Sequence, residues 1–304
     1  MKKSLSVLTA AIGLAVVMGG CGNNSSNNAS GASQAPATES APASSSAAGG
    51  TAEVSPSASA ESSAPAEVKK IIVGTGTQFP KVAFLDESGK LTGFDVELVR
   101  EIDNRLPEYE FELQTYDFSN LLLSLETKKI DFIAHEMEKN PEREAKYLFN
   151  KEPYAHWQNK ILVAKDNDSI QTLDDLKGKK VIVGATSAEA QIVENYNKEH
   201  DNAIKIVYSG SGSADYVTQI SSGRVDATIG PDFTLPLIDP EGKLKSVGDH
   251  LSAADILFVF RKDDPEEQTL ADAIDEAIKE IKADGTLSKL STEWLGADFT
   301  QDIK

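Results

Sequence analysis

Twice along this chain the apolar pattern passes from a strand-length run to a helix-type run and back, and that alternation restricts the possible fold more than any other feature. Residues 69–75 (KKIIVGT) read as a buried strand, and 95–106 place Val96, Val99 and Ile102 on one helical side. Residues 109–114 then read as a strand, 119–127 as a helix and 130–134 as a strand. The order returns with strands at 180–183, 204–208 and 225–229 and helices at 187–198 and 213–222. Two β-α-β-α-β series predict an α/β chain of two similar lobes. Between them lies 158–165 (QNKILVAK), and after the second comes 255–262 (DILFVFRK), both extended and apolar. If both segments cross between the lobes, they form a two-segment hinge beside a cleft. The expected division is 68–157 with 256–304 as lobe 1, and 158–255 as a hinge strand and lobe 2; one continuous sheet is the alternative. Helices at 265–283, ended by Asp284-Gly285, and at 286–295 close the chain.

The residues before 68 have a different character. Lys2 and Lys3 precede an apolar run from Leu5 to Met18, too short to cross a bilayer comfortably as a permanent helix, and Gly19 and Gly20 stand before Cys21. Residues 1–20 are read as an export signal. Cys21, the chain's one cysteine, stands at the cleavage point and resembles the lipidated residue of bacterial lipoproteins, which implies anchoring to the outer face of the cell membrane. A single cysteine permits no intrachain disulfide. Residues 22–67 are almost wholly Ser, Ala, Asn, Gly, Pro and Thr and cannot bury a core, so 21–67 read as a tether. The net charge of −18 supplies no basic footprint for nucleic acid.

Residues 133–143 (IAHEMEKNPER) carry the strongest chemical signal. An apolar strand ends in Glu136 and Glu138, and a helix then begins with an arginine in its first turn. Helix starts are already positive, so Arg143 is best explained by a visiting anion, read as a ligand carboxylate. A surface ion pair with Glu142 or Glu144 is the plain alternative. Asn140 is placed to cap that helix and Pro141 to occupy its first position.

Gly93-Phe94-Asp95-Val96-Glu97-Leu98 closely resembles the signature of the extracellular solute-binding proteins that serve amino-acid ABC transporters. Further likeness lies in 71–75 (IIVGT), 173–181 (LDDLKGKKV), 223–227 (GRVDA) and 282–287 (KADGTL). The resemblance implies a type II periplasmic-binding-protein fold and capture of an amino acid for a membrane permease driven by a separate ATPase, by a monomer without cofactor or catalysis. It places Arg143 on the ligand α-carboxylate, Phe79 and Phe118 as rings around the ligand side chain, and Thr186 and Ser187 as further carboxylate contacts. Asp232 falls one residue late for the family's ammonium acceptor, because Pro231 holds that place. Where most relatives have small residues, this chain has Glu136 and Glu138; Ala134, Glu138, Lys139, Asn140 and Arg143 resemble the cystine-binding branch. Strand spacing sends the two glutamates to one face. Cystine, a double zwitterion, has two ammonium groups to occupy such acceptors. Trp157 and His156 lie near the expected hinge. Another polar amino acid is the nearest alternative; a carboxylate-based enzyme and a sensor domain are more distant ones. There is no P-loop or dinucleotide loop, and His135, His156, His200 and His250 lack metal-binding spacing.

Overall fold

The computed structural model describes residues 68–210, 213 and 215–302. The expected signal, Cys21 and the tether lie outside these residues. The chain begins with β1 (Lys69–Thr75), continues through a small antiparallel meander of β2 (Gln78–Phe79), β3 (Ala83–Leu85) and β4 (Leu91–Thr92), and enters α1 (Phe94–Arg105). Next come β5 (Tyr109–Thr115), α2 (Phe118–Glu126), β6 (Phe132–Ile133), α3 (Pro141–Lys146) and β7 (Tyr147–Phe149). The long β8 (Ala155–Ala164) leads to β9 (Lys180–Gly184), α4 (Ala188–Glu199), β10 (Lys205–Ser209), α5 (Tyr216–Ser221), β11 (Ala227–Pro231), α6 (Thr234–Ile238) and β12 (Leu244–Ile256). Finally, β13 (Val259–Arg261), α7 (Pro265–Ala283) and α8 (Thr286–Leu295) follow.

Two five-stranded sheets replace the single-sheet alternative. The first has the order β5-β1-β6-β13-β7, with β1 parallel to β5 and β6 and β13 antiparallel to both neighbours. The second has the order β10-β9-β11-β8-β12, with β9 parallel to β10 and β11 and β8 antiparallel to β11 and β12. Each parallel set arises where the β-α-β pattern was strongest, since parallel strands need a crossover helix between them. The two sheets bury separate cores, one around Val73, Leu98, Ile102 and Phe132 and another around Ile161, Val181, Val193 and Ile229.

The crossing segments differ from the expected pair of simple strands. Residues 255–262 divide into the end of β12 and the separate β13, because the chain changes sheets at Leu257-Phe258. There the Phe258 amide donates to the Asn150 side chain (2.8 Å) instead of to a strand neighbour. β12 itself carries no alternating pattern, and as an edge strand it exposes Gly248, Asp249 and His250. Its antiparallel pairing with β8 places Asp255 opposite His156 and Ala254 opposite Trp157, which brings the two crossing segments together.

Two local devices position the cleft. Gly93 precedes α1 with φ 123°, and a Cβ there would lie 2.4 Å from the Val82 carbonyl oxygen, so only glycine fits. Asp95 sits inside the first turn of α1, fully buried, and makes no cap. Its Oδ2 instead accepts the Glu136 amide (2.6 Å) and the Tyr154 hydroxyl (3.3 Å), tying α1 to the floor of the cleft.

Candidate functional site

A cleft is lined by residues from both sheets. On the first-sheet side, the Asn140 side chain accepts the Arg143 amide (2.9 Å) and Pro141 starts α3, so the short helix has the local geometry expected from its sequence. The Arg143 side chain is buried. One Nη donates to the Glu138 carbonyl (2.8 Å) and the other, across the cleft, to the Thr186 carbonyl (3.0 Å). A guanidinium has five N–H groups, so further donors remain for a carboxylate. Burial works against its charge, whereas Glu138 and Glu189 favour it.

Three carboxylates line the cleft with this guanidinium among the described residues, Glu138 and Glu189 acting on its charge and Glu136 standing apart from it. Glu138 is held rigidly, its Oε1 accepting from Trp157 Nε1 (2.9 Å) and Asn159 Nδ2 (2.8 Å). Trp157 lines the cleft, but its N–H is engaged by Glu138, so it acts first as a positioning residue. Glu189 comes from the first turn of α4 and takes a hydrogen bond from Ser187. Burial and the nearby Glu138 push its carboxyl up to about 7. Glu136 is also buried, and neither carboxylate oxygen has a hydrogen-bond donor among the described residues. Burial, then Asp95, Glu189 and Glu138, hold its carboxyl well above the ordinary range. Burial likewise raises Asp95 to about 7.

The expectation that Glu136 and Glu138 share a strand face is corrected. β6 ends at Ile133, and Glu136 adopts a left-handed φ of 48°. Both reach the cleft because the chain turns at Glu136 and rejoins the crossing segment at a bridge between Glu138 and Ile256.

Phe79 and Phe118 form an aromatic wall with His135 between them, at ring separations of 6.4 and 5.6 Å. Burial lowers the imidazole to about 4, so it is neutral near pH 7. Ser187 lines the cleft and caps α4 by accepting the Ala190 amide (3.1 Å). Thr186 contributes its carbonyl, not the expected hydroxyl; the residue is exposed, with φ 66°. Asp232 departs from expectation altogether. It is exposed beyond the end of β11 and is not among the lining residues, whereas Pro231 and Thr234 are. The residue lateness noted in the sequence takes its carboxylate out of the cleft.

Residues 71–297 match the sequence pattern of the bacterial extracellular solute-binding proteins, family 3. The chain belongs to that family. It is 50% identical over 240 residues to the L-cystine-binding protein TcyJ of Bacillus subtilis (strain 168), covering 77% of this chain and 87% of that one. Identity to the L-cystine-binding protein TcyK of the same organism is 48% over 238 residues, covering 78% and 87%. The crystal structure of a probable amino-acid ABC transporter extracellular-binding protein from Bacillus subtilis superposes with a TM-score of 0.64 at 48% identity, covering 77% of this chain and all of that one. The two-sheet architecture is thus the type II periplasmic-binding-protein fold.

Within this family 3 solute-binding protein, the cleft residues Glu189 and His135 escaped the sequence reading, as did Asn159, which holds Glu138 from behind the lining. Glu189 looks like an ordinary acidic residue in a helix's first turn, where the macrodipole alone explains it. Asn159 lies beside Gln158 at the start of an apolar run, QNKILVAK, and neither amide gives a sign that it anchors a carboxylate.

Proposed function

We propose that this protein captures L-cystine outside the cell and delivers it to an ABC permease, without chemical change to the ligand. Three carboxylates from both sides of a cleft that holds one guanidinium among its described lining residues carry this reading. An ordinary amino acid offers one ammonium group to such a site, whereas cystine offers two, together with two carboxylates. The L-cystine-binding relatives at 48–50% identity support the same ligand. Arg143 takes one ligand carboxylate, Glu138 and Glu189 take one ammonium, and Ser187 holds Glu189 in place for it. Phe79 and Phe118 pack on the disulfide-bearing side chain. Residues 68–157 and 256–304 act as one lobe and 158–255 as the other, closing about the crossing segments at Trp157 and Asp255. Export through residues 1–20 and lipidation at Cys21 keep the monomer at the membrane surface on its tether.

Thermal-shift titration against the natural amino acids, L-cystine and cystathionine tests the assignment. L-cystine is expected to raise the melting temperature most, and Arg143→Ala to lose the effect. Because an acidic cleft also suits a dibasic amino acid, a larger shift with arginine, lysine or ornithine would redirect the ligand assignment.

A further inference from the structure

Glu136 is an unusual group to leave inside a binding cleft. It is 8% exposed, both carboxylate oxygens lack a donor among the described residues, and its backbone is held in the left-handed region that a glutamate rarely adopts. Asp95 from α1 lies behind it and accepts its amide, while Asp95 Oδ1 has no donor. The remaining groups around it offer no positive charge. Glu138 lies on the same segment, Glu189 faces it from α4, and His135 beside it is neutral. The Tyr154 hydroxyl, from the segment before β8, is engaged by Asp95. Arg143 of α3 directs two donors to the carbonyls of Glu138 and Thr186. An ionised Glu136 in these surroundings would be a buried charge without a partner, which folding resists strongly. An ammonium group, compact and with three N–H donors, supplies what both oxygens lack.

We propose that Glu136, backed by Asp95, is a proton-exchanging ammonium subsite: its carboxyl is neutral in the free cleft, and a docking ammonium converts it to a carboxylate and expels the proton to solvent. The proposal rests on the cleft being the amino-acid site described above. The ligand class it selects carries a second α-ammonium group. The exchange is balanced, since the carboxylic acid and the ligand ammonium become an ion pair plus one solvated proton. Affinity therefore falls on acidification, by up to about tenfold per pH unit below the pH at which Glu136 ionises in the free protein.

Two measurements on the full chain test this. The first is infrared difference spectroscopy between wild type and Glu136→Gln near neutral pH, without ligand. A carboxylic-acid carbonyl band belonging to Glu136 is expected, and carboxylate bands in its place would overturn the proposal. The second is calorimetry with L-cystine in buffers of different ionisation enthalpy. Wild type is expected to release protons on binding, and Glu136→Gln to release about one fewer. Binding of L-cystine with no proton release in any buffer would also overturn it. Asp95→Asn, which keeps an acceptor for the Glu136 amide, guards against a folding failure of the first variant; its pH dependence is expected to move to lower pH. The carboxylic-acid band without any heat from L-cystine would support the neutral Glu136 and reject L-cystine as the ligand. Loss of the band with potassium chloride alone would instead make the subsite one for inorganic cations and overturn the ammonium assignment.

Discussion

In the proposed function, one side chain, Arg143, serves both ligand and lobe closure. Its fork joins the Glu138 carbonyl on one side of the cleft to the Thr186 carbonyl on the other, and a guanidinium's five N–H groups leave further donors for a ligand. Lysine has a single ammonium point and cannot hold two carbonyls and a carboxylate together. Arg143→Lys is therefore expected to weaken L-cystine binding by about 2 kcal/mol or more, roughly thirtyfold, measured by calorimetry. An affinity within about threefold of wild type would show that a point charge suffices. Trp157 permits a finer test, because Trp157→Phe keeps an aromatic ring against Phe233 while removing the donor to Glu138. The expected cost to binding is about 1.5 kcal/mol, the size of a hydrogen bond to a charged group. Unchanged affinity with an unchanged circular dichroism spectrum would mean that Asn159 alone fixes Glu138.

At the level of elements, legibility followed the hydrophobic period. α7 and α8 stand at the residues expected, because each has a strong apolar stripe and the turn at Asp284-Gly285 stops the first. β12 was not legible, since an edge strand paired on one side only needs no alternation. The helix that starts at Pro141 and carries Arg143 was readable, because Asn140 and Pro141 are strong signals of a helix start. Glu189 and Asp95 were not, because a carboxylate in a helix's first turn is favourable anyway and only the tertiary fold turns it into a cleft. A similar tertiary role falls to Asp275 of α7, whose buried carboxylate accepts the Asn150 side chain (2.8 Å) and the amides of Lys151 and Glu152 (both 2.9 Å). It fixes the turn before β8, which no local signal reveals. Asp275→Ala leaves those donors unpaired, and the expected loss is about 3 kcal/mol of unfolding free energy in urea titration, with L-cystine affinity retained. Lost binding at full stability would instead place Asp275 in the ligand machinery.

Across the whole molecule, the buried acids give stability an unusual dependence on pH. Asp95 and Glu189 are raised to about 7 and Glu136 is raised as well, all chiefly by burial. Between about pH 4, where these groups ionise in an unfolded chain, and about 7, the folded protein holds more protons than the unfolded one. Their contribution is full below that window and is lost as pH rises through it. His135, lowered to about 4 by burial, acts in the opposite direction between about 4 and 6.5, where only the unfolded chain is protonated. Three carboxyls outweigh one imidazole, so the melting temperature of the ligand-free protein is expected to fall from pH 5.5 to 7.5, and Asp95→Asn to flatten that fall. L-cystine should reverse the trend, since its ammonium groups give the ionised carboxyls partners, and the ligand-induced shift should grow over the same range. A pH series of thermal melts with and without L-cystine checks both slopes. A melting temperature that rises steadily with pH in wild type and in Asp95→Asn alike would mean that these acids are ionised in the folded protein, with solvent or a cation reaching them.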